Sequence, residues 1–102
     1  MKFLSSVLFA VSASLVLTTT AQANEIFAKN CASCHAGGKN IMNAEKDLSQ
    51  ASLEKNGVAT LDAIKNLVSN GKAPMPGFSS SLSEAQIAEV SQYVLDQAKK
   101  GW

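Results

Sequence analysis

Cys31-Ala32-Ser33-Cys34-His35 places two thiols three residues apart with an imidazole directly after the second. These are the only cysteines and the only histidine among 102 residues. A disulfide between Cys31 and Cys34 would enclose too little chain to constrain it, because the entropy a bridge removes grows with the loop it closes. A structural zinc needs about four ligands, and this stretch exhausts the supply of thiols and imidazoles. A thioredoxin-like redox pair shares Cys-x-x-Cys but expects a βαβ setting, and no segment here shows the period of two that marks a strand. The remaining reading is the strongest. Cys-x-x-Cys-His is the attachment signature of c-type haem.

That chemistry explains the spacing. The two thiols add to the two vinyl groups at one porphyrin edge, so both must face it from a single helical turn. The next residue then brings its imidazole under the ring. One covalently attached haem c per chain is expected, held by Cys31 and Cys34, with His35 on the iron. Bis-histidine ligation is excluded because no second histidine exists. The sixth position is therefore either open or filled by methionine.

Apart from Met1, the methionines are Met42 and Met75. Met42 follows His35 by seven residues and would have to wrap quickly around the ring edge. Core filling is an ordinary use of so flexible a side chain. Met75 stands in Gly71-Lys72-Ala73-Pro74-Met75-Pro76-Gly77, where both prolines fix φ and Pro74 biases Ala73 away from helix. This predicts a stiff, extended strap presenting Met75 as the second axial ligand. His/Met ligation raises the potential into the range of electron carriers. An iron with both axial positions filled leaves no room for substrate, so the chain reads as a carrier and not an enzyme. Two alternatives stay open: a weak haem peroxidase if Met75 lets go, and a thiol-exchange protein if both cysteines stay free.

The N-terminus reads as a secretory leader. Lys2 precedes an apolar run from Phe3 to Leu17, and Ala21-Gln22-Ala23 is a small-x-small site. Leu4 to Leu17 would make a helix of roughly 21 Å, too short for a hydrocarbon core of about 30 Å. Residues 1–23 are expected to be a signal peptide and 24–102 the domain, leaving 79 residues (102 minus 23). Such a small chain commonly needs a cofactor to stabilise its core. Without Lys2 it carries eight lysines against eight acidic residues and no arginine. No basic stripe exists to hold nucleic acid.

The rest reads as helix and loop. Asn24 to Asn30 suits a short helix, and Gly37-Gly38 opens a loop over residues 36 to 44. Ala51 to Asn56 suits a second short helix ending at Gly57. From Thr60 to Asn70, Leu61, Ile64, Leu67 and Val68 share one helical face, with Thr60 as N-cap and Gly71 as stop. Residues 72 to 81 form a loop. Ser83 and Gln86 make a capping box with Leu82 and Ile87 as hydrophobic staple, and Ile87, Val90, Val94, Leu95 and Ala98 form an apolar stripe. An all-α fold is expected, with three to four helices around the haem.

The chain resembles cytochrome c6, a small class I cytochrome c, over essentially its whole length beyond residue 23. The matching pieces are Ile26-Phe27, Asn30 to His35, Ala36-Gly-Gly-Lys-Asn40, Leu53-Glu-Lys55 with Gly57, Asn70-Gly-Lys72, Met75-Pro76, and Leu82 leading to Tyr93-Val94-Leu95. The sequence shows no obvious exposed apolar seam, so a monomer is expected, not inserted in the membrane after processing; the resemblance implies a carrier in the thylakoid lumen or periplasm. It takes electrons from the cytochrome b6f complex and delivers them to photosystem I or a terminal oxidase. The same resemblance implies crossed first and last helices with Phe27 near Tyr93, and a first helix starting several residues before Asn24. Photosynthetic members usually carry glutamine where Leu67 stands and an arginine shortly after the methionine loop. Leu67 and the absence of arginine therefore resemble a divergent, lower-potential relative with a different partner.

Overall fold

The computed structural model describes residues 13–102, with side chains from Gln22 onward. Five helices and no strand form among these residues: α1 (Ala13–Asn30), α2 (Ala32–His35), α3 (Gln50–Lys55), α4 (Leu61–Asn70) and α5 (Glu84–Lys100). Short 3-10 turns occupy Ala36–Gly38 and Ala44–Lys46, at either end of the expected loop. The all-α expectation holds. The helix count is one above the expected range because the haem motif forms the separate four-residue α2.

The first helix begins well before Asn24, at Ala13. No glycine or proline interrupts Ala13 to Asn30, so nothing in the backbone stops the helix there. The expected leader, residues 1–23, lies outside the described residues as far as residue 12. From Ala13 its backbone is helical and continuous with α1, and Ala23 is buried.

The later helix ends follow local chemistry. Thr60 Oγ1 accepts the Ala63 N–H at 3.2 Å, and Ser49 Oγ accepts that of Ser52 at the same distance. At α5 the capping box closes: Ser83 Oγ accepts from Gln86 N at 3.1 Å, and Gln86 Oε1 accepts from Ser83 N at 2.8 Å. Removing such a cap costs about 1 kcal/mol.

The core lies where α5 packs against both α1 and α4. It contains Ile26 and Phe27 from α1, Leu53 from α3, Ile64 and Val68 from α4, and Ile87, Val90, Val94 and Ala98 from α5. Each large aliphatic side chain buried there contributes roughly 1.5–3 kcal/mol. Phe27 meets Tyr93 as expected, with ring centroids 5.3 Å apart at a tilt of 48°.

The apolar stripe of α5 needs one amendment. Leu95 is only partly buried, and Ser91 is fully buried in its stead. Its Oγ finds no hydrogen-bond partner among the described residues. A buried hydroxyl left unpaired costs about 1–3 kcal/mol. Ser91→Ala is therefore expected to stabilise the protein by about 1 kcal/mol, with alanine's better helix propensity adding to the gain. A urea melt checks this: the midpoint should rise with the slope unchanged.

Candidate haem site

The haem turn is a direct continuation of α1. Cys31 N donates to Phe27 O at 2.9 Å, and Asn30 Nδ2 donates to Ile26 O at 3.0 Å, carrying the helical path into the motif. Cys34 N and His35 N both donate to Cys31 O, at 3.1 and 2.9 Å. The two thiols and the imidazole thus share one turn, and all three residues are partly exposed. Burial pushes the Cys31 thiol up to about 11. Near neutral pH that leaves roughly one part in ten thousand as thiolate, whereas exchange-active thiols are shifted the other way. Cys31 in this setting is a poor exchange thiol.

His35 Nδ1 lies 2.8 Å from the Lys39 carbonyl oxygen. A carbonyl only accepts, so Nδ1 must carry the proton and the Nε2 lone pair is left for a metal. This is the usual arrangement behind a ligating histidine. The loop beyond is organised by Asn40, whose Oδ1 accepts from Met42 N and Asn43 N at 3.0 Å each while Nδ2 donates to Lys46 O at 2.9 Å. Ile41 N donates back to Cys34 O at 3.1 Å. This surface turn leaves Met42 63% exposed, so core filling is not its role.

Met75 sits on a strap that doubles back, contrary to the extended form expected. Lys72 N donates to Met75 O at 3.0 Å and Met75 N to Lys72 O at 2.8 Å, closing a tight turn whose Ala73–Pro74 bond is cis. The φ restriction of a proline acts on single residues and does not exclude such a reversal. Beyond the turn, Phe78 N donates to Val68 O at 2.8 Å and Ser79 N to Ser69 O at 3.2 Å, fastening the strap to α4. At Gly71 the backbone takes φ 73 and ψ 177, a region essentially reserved for glycine. A Cβ there would lie 2.5 Å from Gly77 N, so strap and helix end meet backbone to backbone.

Cys31 and Met75 are both partly buried against the same core cluster. Leu67, expected on the core face of α4, is partly exposed and lies outside that cluster. Ile41 and Met42 are the exposed large hydrophobics among the described residues, and Ile41 is hydrogen-bonded directly to the haem turn. Two thiols and an imidazole on one turn, joined through the backbone to a loop with exposed apolar side chains, are the donor set and surroundings a flat apolar ligand such as haem takes. These residues fit a haem.

The family model described as "Cytochrome C oxidase, cbb3-type, subunit III" matches residues 18–94. A curated cytochrome c6 of Rippkaea orientalis is 48% identical over 106 residues, covering 98% of this chain and 92% of that protein. The solved cytochrome c6 of the diatom Phaeodactylum tricornutum superposes with a TM-score of 0.78 at 41% identity, covering 81% of this chain and 98% of that one. The solved cytochrome c6C of a Synechococcus species gives 0.77 at 42% identity, over 79% of this chain and 99% of that one. Likeness of this extent, in sequence and in fold together, means that the chain belongs to the cytochrome c6 family of haem-bearing electron-transport proteins.

Proposed function

We propose that the chain is a single-electron carrier with one haem joined to Cys31 and Cys34 and its iron held between His35 and Met75. The observation that carries this reading is the haem turn, where the lone histidine shares one helical turn with both thiols and its Nδ1 is occupied by Lys39 O. The haem supplies reversible Fe(III)/Fe(II) chemistry when bound. His35 and Met75 contribute two fixed donors, so little needs to move when an electron enters or leaves. The thioether of Met75 favours Fe(II), and the strap bonds to α4 hold it in place.

Export removes residues 1–23 and delivers residues 24–102 to the thylakoid lumen or periplasm as a monomer. No helix among the described residues is long and apolar enough to cross a membrane. Family membership supports the cytochrome b6f complex as electron donor and photosystem I or a terminal oxidase as acceptor. The balance of eight lysines and eight acidic residues in 24–102 makes electrostatic steering toward either partner modest.

Leu67 favours a second reading, a divergent relative serving a different partner, in keeping with the likeness to a cytochrome c6C. A redox titration separates the two. A midpoint above about +300 mV, the top of the Rieske range, supports electron uptake from a b6f-type complex, and one far below supports the divergent reading.

Intact mass of the exported holoprotein should equal residues 24–102 plus one haem, with no free thiol. The oxidised protein should show the weak far-red charge-transfer band of an iron–thioether bond, and Met75→Ala should abolish it and lower the midpoint. A colourless product, or a band that survives Met75→Ala, sinks the ligand assignment. Gly71→Ala is expected to weaken the same band and to cost about 2 kcal/mol or more, since alanine meets both a glycine-only conformation and a backbone clash. Thermal melting with the band as signal measures both effects.

A further inference from the structure

We infer that Trp102 is a positioning residue for His35: its indole clamps the loop whose Lys39 carbonyl orients the imidazole. The inference rests on the reading of His35 as an axial ligand.

Helix α5 ends in a Schellman turn, with Gly101 N donating to Ala98 O at 3.3 Å and Trp102 N to Gln97 O at 2.8 Å. Trp102 itself takes φ 60, uncommon for a bulky side chain. The turn directs the indole back into the crossing of α1 and α5, where it lies 5.3 Å from the Phe27 ring and 6.2 Å from that of Tyr93. From this base it reaches the proximal loop by two routes. Its Nε1 donates to Leu48 O at 2.7 Å, across 54 residues of sequence. Leu48 N in turn donates to Gly38 O at 2.7 Å. The same ring lies directly on Gly38, where a Cβ would stand 2.5 Å from Cγ, Cδ1 and Cδ2 of the indole.

Gly38 is buried while Gly37 and Lys39 on either side are exposed. It is thus the point at which the loop meets the helices, and the very next residue supplies the carbonyl that accepts from His35 Nδ1. The other ties on Lys39 are local. Lys39 N donates to Ala36 O at 3.2 Å, and Ile41 N donates to Cys34 O within the haem turn. Neither anchors the loop to the packed crossing of α1 and α5. Trp102 does.

A hydrogen bond from the second nitrogen raises the donor strength of a ligating imidazole, which stabilises the more positive iron. Loosening Lys39 O should therefore favour Fe(II) and move the midpoint upward. Trp102→Ala is expected to raise the Fe(II)/Fe(III) ratio at fixed applied potential about three- to tenfold, some 30 to 60 mV at 59 mV per tenfold. It should also speed solvent exchange of the His35 Nδ1 proton, followed by NMR of the reduced holoprotein, by at least about tenfold. Trp102→Phe keeps a ring over Gly38 and loses the bond to Leu48, so it should move both readouts the same way by less. Ser83→Ala is the control: it removes the capping box at the opposite end of α5, and should lower the melting temperature alone.

Trp102 variants that change only the melting temperature overturn the inference, as does Ser83→Ala shifting midpoint and exchange equally. Should His35 ring protons of the wild-type holoprotein show no haem-induced shift, the axial-ligand reading falls and takes this one with it. Shifted His35 signals with unmoved Trp102 variants overturn the inference alone.

Discussion

Phe27 ties the packing of this protein to its chemistry. Its ring packs against Tyr93 and Trp102 where α1 crosses α5, and its carbonyl accepts the N–H of Cys31. One residue therefore belongs both to the helix crossing and to the first hydrogen bond of the haem turn. The position of Cys31, and through it of Cys34 and His35, follows from how α1 lies on α5. Every other part of the site is arranged around that fixed turn.

The loop after the haem turn and the Met75 strap are fixed by different sets of contacts. The proximal loop, from Gly37 to Leu48, is held by backbone bonds from Leu48 to Gly38 and from Ile41 to Cys34, and by two side chains: Asn40 within it, and Trp102 from across the fold. The Met75 strap is held by backbone bonds, the pair between Lys72 and Met75 and those of Phe78 and Ser79 to α4, with the Met75 and Phe78 side chains packed against the core. Glycine is required where the strap touches the helix end, because no Cβ fits between two backbones.

The core of the described chain is modest, and part of its apolar surface has no protein partner. Leu67 stands outside the buried cluster, and Ile41 is 72% exposed. Small domains of this length commonly rely on a cofactor for part of their core.

Local chemistry was legible in the residues themselves. The caps of α4 and α5, the helical class, the shared turn of Cys31, Cys34 and His35 and the loop nature of the Met75 segment all depend on neighbours within a few positions, where spacing alone reports the interaction. Elsewhere the outcome depended on what each surface met. Amphipathic spacing could not show that Ser91 would be buried in place of Leu95, since a stripe on a helix says nothing of the facing element. Nor could the prolines foretell that Lys72 and Met75 would close on each other, because φ restrictions act residue by residue while the turn is decided by paired hydrogen bonds. Trp102 is the clearest case: nothing near it in sequence marks the end of α5 as the support of a loop 54 residues away, and only the crossing of two helices brings the indole onto Gly38.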